Sequence, residues 1–317
     1  MSDPVRCSVI VLNFNERDLL LDCLRSLAVA MSAKDELIVV DNGSTDGSAL
    51  AVGQEFPQAK VVALAENQYI FALNAGLERA SGRYVAFCNN DMVVEPGFID
   101  EALGLFGDNI FAVCARIIDR HGKEQGSRTS GRFKHGVLIY DPLPHVEHPT
   151  RCFFAVGGQS FYDRQKLVEL GSIDELLHPM YHEDIELSYR AWKRGWEIVY
   201  APKSVCHHLG GTTSSKVFTP VELRSFVRQN EVLTVWKDVT NPIMLVQHLC
   251  WLVVRFAKAV VVDDRGTTRG TLNAFRRLRG AAAARRRVAH QFLISDREVL
   301  RRVSLDAVER PMVSRCA

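Results

Sequence analysis

The most constraining feature is a repeated alternation in the first third of the chain. Short runs of β-branched and other apolar residues each end on a polar cluster, and a segment of helical spacing follows. Residues 8–12 (SVIVL) read as a strand buried on both faces. Residues 13–18 (NFNERD) form a polar turn, and Leu20, Cys23, Leu24 and Leu27 then recur at helical spacing. A second buried strand, residues 36–40, runs into DNGSTDGS, with a helix predicted over 48–56 and a third strand over 60–64. A helix over 74–80 leads to a fourth strand, 84–88, which ends at Asn89-Asn90-Asp91. Such alternation implies a mostly parallel sheet with right-handed crossovers. Ligands bind such sheets at the carboxyl ends of the strands, where every polar cluster falls.

Downstream the pattern changes. Residues 119–150, rich in Gly, His, Arg and Pro with weak periodicity, read as a long excursion over the site. Order returns at 152–156, followed by helices over 164–170 and 183–194 and a strand over 197–200. Beyond Pro220 the chain reads as entirely helical. With 317 residues, 47% of them apolar, the chain is long enough for a large α/β domain and a smaller appendage. Its net charge of +2 excludes a nucleic-acid partner as far as the total can, although basic residues crowd 265–302. The eight cysteines show neither CxxC pairs nor zinc-ligand spacing, so they are expected to be reduced and mostly buried. The start, MSDPVRCSVIVLNFN, has no basic region followed by an apolar stretch, so the expected location is cytoplasmic.

The first strand runs into NFNERD, with no glycine-rich phosphate loop of the GxGxxG or GxxxxGK[ST] type. A diphosphate site lacking such loops usually neutralises its ligand with a cation held by carboxylates. Asp91, at the end of an apolar strand, suits a Mg²⁺ or Mn²⁺ ion; from the residues alone it equally suits a turn that satisfies local backbone groups. Asp41 also ends a buried strand, with a turn or helix cap as its plainer reading, and Asp46 and Ser48 read as caps.

At these residues the sequence resembles the family 2 glycosyltransferases, which have the GT-A nucleotide-sugar-binding fold. The matching pieces are SVIVLNFNE, LIVVDNGSTDGS, NAGLERASGRYVAFCNNDMVVEPGFI, GGQSFYDRQKLVELGSIDE, HEDIELSYRAWKRGW and CHHLGG, in the family's order over residues 6–215. The resemblance implies an inverting transfer of a sugar from a UDP-, dTDP- or GDP-linked donor to a glycan or lipid-linked acceptor, in cell-surface polysaccharide or lipid-linked glycan synthesis. It puts Asn13 and Glu16 on the donor side, Asp41 against the base or ribose, and Asn74 near the donor. Asn89-Asn90-Asp91 would occupy the DxD position, with Asp91 on the metal. Asp184 would be the general base and Glu183 would orient the acceptor; without the resemblance, these acids simply complement a helix dipole, worth ~0.3–1 kcal/mol. His208, rather than His207, would complete the metal or diphosphate site, and Gly157 and Gly158 would line the donor–acceptor junction. Two departures stand out: Gln68-Tyr69-Ile70-Phe71 where the family often has Gly-Phe, and Asn89 as the first residue of the DxD position.

The expected organisation is a catalytic domain over residues 1–218, with a nucleotide-sugar half to about 118 and an acceptor half after it, then a helical basic region over 219–317. Residues 243–262 are long enough to suggest a membrane span, but they contain His248, Arg255 and Lys258. Each central Arg or Lys costs roughly 2.5–3.5 kcal/mol on insertion. Gln247, His248, Arg255 and Lys258 share an arc of about 100° on a helical wheel and leave the rest apolar. This suits either a helix at an anionic membrane surface, on the cytoplasmic face of the inner membrane, or a helix packed on the catalytic domain with a solvated basic tail. Two other functions fit the fold. A sugar nucleotidyltransferase would need a basic glycine-rich loop near the N-terminus, which residues 13–18 do not supply. A catalytically silent glycan-binding scaffold would have no need to keep Asp41, Asp91, Asp184 and His208 together.

Overall fold

The computed structural model describes residues 4–210 and 217–312. The alternation read from the sequence is present: β1 (Cys7–Asn13), α1 (Arg17–Ala30), β2 (Asp35–Asp41), α2 (Ser48–Glu55), β3 (Lys60–Ala63), α3 (Leu73–Arg79) and β4 (Tyr84–Asn89). There follow β5 (Met92–Val94), α4 (Phe98–Leu103), β6 (Ile110–Asp119), β7 (Thr129–Lys134), β8 (Val137–Pro142), β9 (Thr150–Arg151) and β10 (Gln159–Asp163). Next come α5 (Arg164–Glu169), α6 (Glu183–Lys193) and β11 (Glu197–His208). Beyond them lie α7 (Pro220–Asp238), α8 (Pro242–Val261), α9 (Arg265–Arg276), α10 (Leu278–Val288), α11 (Asp296–Arg302) and α12 (Leu305–Val308).

Nine strands form one sheet in the order β3-β2-β1-β4-β10-β6-β11-β5, with β9 paired to β11. The sheet is parallel from β3 to β4; β10 then inserts antiparallel between β4 and β6, and the sheet is mixed beyond it. Side chains alternate across the pleat. Ile10, Ile38, Val40 and Phe87 therefore enter one core, and Val9, Val11, Leu37, Val39 and Ala86 enter the other. Helix α1 covers the second core through Leu20, Cys23, Leu24 and Leu27. The first core also takes in Val232, Leu233 and Val235 of α7 and Val299 of α11, so the C-terminal helices pack directly on the sheet layer.

Two segments differ from expectation. Residues 119–150 contain a two-stranded sheet, β7–β8, instead of an unpatterned excursion. The strand expected over 197–200 continues to His208, through a register shift between Ala201 and Val205. The seven described cysteines are free, and six of them are buried; Cys316 lies outside the described residues.

Candidate active site

Strand register brings the polar clusters together. Asn13 lies opposite Asp41, and Leu12 opposite Asn89, so β1, β2 and β4 end side by side. Asn13 is fully buried: its Nδ2 donates to Ser44 Oγ at 3.2 Å, and its Oδ1 accepts from Asn90 Nδ2 at 2.7 Å. These amides brace the strand ends. Asp41 is buried, with its Oδ1 enclosed and unpartnered among the described residues. An unpartnered buried carboxylate oxygen is costly, so it points to a ligand donor at that spot.

Asn42 fixes the neighbouring loop: its Nδ2 donates to Asn67 Oδ1 (2.8 Å) and the Tyr69 carbonyl (3.0 Å), and its Oδ1 accepts from Gln68 N (2.8 Å). Tyr69, in the Gln68-Tyr69-Ile70-Phe71 stretch that departs from the family pattern, takes a left-handed φ of 54°. That conformation is unfavourable for a bulky residue. Asn67 Oδ1 accepts the Tyr69 N–H at 2.8 Å, and the Tyr69 ring lies 5.3 Å from the His178 ring and 5.7 Å from that of Phe218, which together hold it there.

Across the cleft, β11 runs antiparallel to β5 with His208 opposite Met92, which carries the imidazole to Asp91. His208 Nε2 lies 2.9 Å from Asp91 Oδ2, and its Nδ1 lies 2.8 Å from Gln125 Oε1. The hydrogen bond to Asp91 holds the imidazole pKa above its ordinary value. Asp91 Oδ1 is enclosed and unpartnered among the described residues. A Cβ on Gly210 would fall 2.1 Å from Asp91 Oδ2, so only glycine leaves this carboxylate its room; Gly211 lies outside the described residues. His207 instead faces Glu95 at 3.1 Å.

No group of three metal-ligating side chains exists among the described residues. Asp91 and His208 supply two ligands, a carboxylate oxygen and an imidazole nitrogen. Mg²⁺ typically takes one or two carboxylates and completes its shell with phosphate oxygens and water. This pair therefore fits a divalent cation shared with a bound diphosphate.

The opposite wall is the start of α6. Tyr181 and His182 both take left-handed φ values, 70° and 75°, immediately before Glu183. Such conformations cost ~1–3 kcal/mol each and persist only where the surroundings enforce them. Here the surroundings are firm. Glu186 pairs with Arg190 and Lys237, and Lys193 Nζ lies 2.9 Å from Asp296 Oδ1. Asp296 Oδ2 also accepts the N–H groups of Thr240 and Asn241. Ile185, Leu187, Tyr189 and Trp192 face the core as the sequence spacing predicts.

Burial pushes the pKa of Asp184 up to about 6, against the pull of N–H donors from Ile185 and Gly157. Glu183 goes higher, to about 8, through burial and then through the charge of Asp184. Its Oε2 is enclosed and unpartnered. Burial and the neighbouring charge thus favour the protonated form more strongly at Glu183 than at Asp184. Tyr140, from the β7–β8 hairpin, lies close enough that the charge of Asp184 adds to burial in raising its phenol.

Gly157 and Gly158 join the two walls. A Cβ on Gly158 would fall 2.2 Å from Asn89 Oδ1, and the residue's φ of +83° suits glycine. Asn89 N–H donates to the Gly158 carbonyl at 2.9 Å. A Cβ on Gly157 would meet Asp184 Cβ at 3.9 Å. Asn89, two residues before Asp91, and Asp184 thus flank one two-residue step. The adjoining cleft, about 310 Å³, is lined by Asn89, Asn90, Asp91 and His208 and by Met180 and Tyr181; Asn13, Asp41, Gly157, Gly158, Glu183 and Asp184 are not among its lining residues.

Three expected residues are placed elsewhere. Asn74 spends both ends of its amide on Ile173, at 3.0 and 3.3 Å, and does not line the cleft. Glu16 precedes α1 in a left-handed conformation and also lies off the cleft wall. Ser48 is no cap: its hydroxyl donates to Asp46, whose carboxylate accepts the N–H groups of Ser48 and Arg17. Asn42 and Asn67, absent from the expected site residues, and Tyr69, expected only as a departure from the family pattern, line the cleft. The cluster of polar residues around Asn42 was the available signal.

Residues 8–171 match the family model described as Glycosyl transferase family 2. Rat polypeptide N-acetylgalactosaminyltransferase 5 is 26% identical over 227 residues, which is 64% of this chain but only 24% of the relative, so the chain spans about a quarter of that protein's length. An N-acetylglucosaminyl-diphospho-decaprenol L-rhamnosyltransferase of Mycobacterium tuberculosis is 28% identical over 60% of this chain and 72% of the relative. Among solved structures, GalNAc-T7 with UDP, GalNAc and Mn²⁺ aligns at a TM-score of 0.60 and 17% identity, covering 75% of this chain and 48% of that one. The mannosyltransferase PcManGT of Pyrobaculum calidifontis with GDP-Man and Mn²⁺ aligns at 0.52 and 16%, covering 92% and 86%. With the family match extending over more than half of its length and this fold beneath it, the chain belongs to glycosyl transferase family 2 and has GT-A architecture.

Proposed function

We propose that this enzyme moves a sugar from a nucleoside diphosphate donor to an acceptor hydroxyl in one displacement, with inversion at the anomeric carbon. The observation that carries the reading is the Gly157–Gly158 step, with Asn89 against one glycine and Asp184 against the other. A donor whose diphosphate lies by Asn89-Asn90-Asp91 would present its sugar toward Asp184. Asp184, in its ionised form, accepts the proton of the acceptor hydroxyl as that oxygen attacks the sugar. Glu183, protonated, donates a hydrogen bond that orients the acceptor. Asp41 offers its free oxygen to the nucleoside.

Asp91 and His208 would hold Mg²⁺ or Mn²⁺, which supplies charge neutralisation for the departing diphosphate. The rhamnosyltransferase relative's name specifies a polyprenol-linked acceptor. We carry over only that class, a hydroxyl on a lipid-linked or surface glycan, met by a chain on the cytoplasmic side of a membrane.

A thermal-shift screen of UDP, GDP and dTDP and their sugars, with and without Mn²⁺, tests the reading, because a bound ligand raises apparent stability. One nucleotide series should shift the wild type only with metal, and Asp91→Ala should abolish that shift. Equal shifts without metal, or in Asp91→Ala, would remove the metal-bridged donor site.

A further inference from the structure

We propose that the outward face of α8, flanked by the arginines of α9, docks on an anionic lipid bilayer. Helix α8 is turned opposite to an ordinary surface helix, which buries its apolar stripe and wets its polar one. Its inward row is Met244, His248, Leu252, Arg255 and Ala259. His248 Nδ1 donates to the Gly136 carbonyl at 2.6 Å, and Arg255 reaches Glu231 of α7 at 3.2 Å. Two members of the polar arc thus face the protein.

At 100° per residue, the outward arc spans about 140°. It carries Ile243, Val246, Leu249, Val253, Val260 and Val261, with Cys250, Val254 and Ala257 between them and no charged side chain. Val246 is 60% exposed, Val253 69% and Val261 85%. Contiguous apolar exposure of this kind marks an interaction surface.

Charge complementarity selects the partner. Where α8 meets α9 a groove is edged by Val260, Leu272, Arg265, Arg269 and Arg276, with one acid, Asp263, which pairs with Arg265 at 3.3 Å and leaves Arg269 and Arg276 as the groove's other charges. Residues 265–290 contain eight arginines and no Asp or Glu. A second copy seated on this face would bring arginine against arginine, which is repulsive. A nucleic-acid strand would match the arginines and leave the aliphatic arc wet. An anionic bilayer satisfies both, with phosphate at the guanidinium groups and acyl chains at the valines.

By length and composition α8 could cross a membrane. Its ties to Gly136 and Glu231 instead hold it along the catalytic body, in the plane of the headgroups. The same helices suspend the loop that leads into Glu183: Asn230 of α7 donates to the carbonyls of Leu177, Met180 and Tyr181, and Arg277, after α9, donates to those of Leu176 and His178. Docking would therefore set the acceptor side of the cleft against the bilayer. That consequence rests on the transferase reading, whereas the docking does not.

The test is co-sedimentation of the full chain with phosphatidylcholine vesicles, plain or doped with phosphatidylglycerol. Wild type should bind the anionic vesicles at least about tenfold more tightly, with affinity falling as salt rises. V246D/V253D should lose at least about tenfold in binding while keeping its melting temperature and nucleotide-induced thermal shift, since both sites are outward. R269E/R276E should lose only the preference for anionic lipid. The proposal is overturned if wild type stays in the supernatant at low salt, or if V246D/V253D binds as wild type does. It is equally overturned by a lipid-free dimer that V246D/V253D dissolves, which would assign the face to a second copy. An unchanged nucleotide shift in any of these outcomes leaves the transferase reading intact.

Discussion

Replacing Gly158 by alanine puts a methyl carbon 2.2 Å from Asn89 Oδ1 and 2.5 Å from Asn89 Cγ, at a backbone φ of +83°. The left-handed conformation costs an L-residue ~1–2 kcal/mol. Forcing the Asn89 amide from its rotamer adds ~0.5–1.5 kcal/mol. The variant should therefore lose about 1.5–3.5 kcal/mol of stability by urea unfolding. The effect on catalysis should be larger in proportion, because Asn89 adjoins Asp91 at the donor end of the cleft. Displacing a reacting group by about 1 Å can cost ~10²-fold in rate, so kcat for sugar transfer should fall by about that factor. Gly157→Ala is the internal control: its Cβ would meet Asp184 Cβ at an ordinary 3.9 Å, with no left-handed φ. Its stability should stay within ~0.5 kcal/mol of wild type. Wild-type turnover in Gly158→Ala, or equal loss of stability in both variants, would refute the argument that this step joins the two halves of the site.

Three further outcomes follow from the same structure. Burial raises Asp184 to about 6, so kcat/KM should fall about tenfold per unit of pH below that value; a rate that stays flat to about pH 5 would exclude Asp184 as the base. The folded-state pKa lies above the unfolded one, so the stability linked to this proton is complete below the unfolded value, 3.8, and is lost as pH rises through about 6. Asp184→Asn should therefore be more stable than wild type at about pH 8, as thermal melting would detect. In the third position, Lys193→Met strands Asp296, a fully buried partner at 2.9 Å, and should cost ~3–5 kcal/mol in urea unfolding; a loss under ~1 kcal/mol would mean the pair does not fasten α6.

How far the sequence could be read depended on whether a feature was local. The β-branched runs of β1, β2 and β4 announced themselves because burial on both faces leaves no polar position. Strand β11 was cut short at Tyr200 because Pro202 signals a break; the structure absorbs it in the register shift between Ala201 and Val205, and only by continuing does the strand bring His208 to Asp91. The β7–β8 hairpin carried a usable signal, since His135-Gly136 takes positive φ at both residues (51° and 77°) between two alternating runs. Asn74 could not be placed, because its partner, Ile173, lies 99 residues away. For α8 the helical wheel gave the polar arc but not its direction, which Gly136 and Glu231 decide. The left-handed φ of Tyr69 had no local signal, because Asn42, 27 residues away, holds the loop together with Asn67.

The central claim is that Asp91 and Asp184 serve one cleft in separable roles. The most direct test is metal-dependent binding of the nucleotide donor measured beside sugar transfer in Asp184→Asn. The account predicts donor affinity near wild type in the presence of Mn²⁺, with transfer reduced by at least about 10²-fold, the usual contribution of a general base. Transfer at the wild-type rate would contradict it, as would a parallel loss of donor binding.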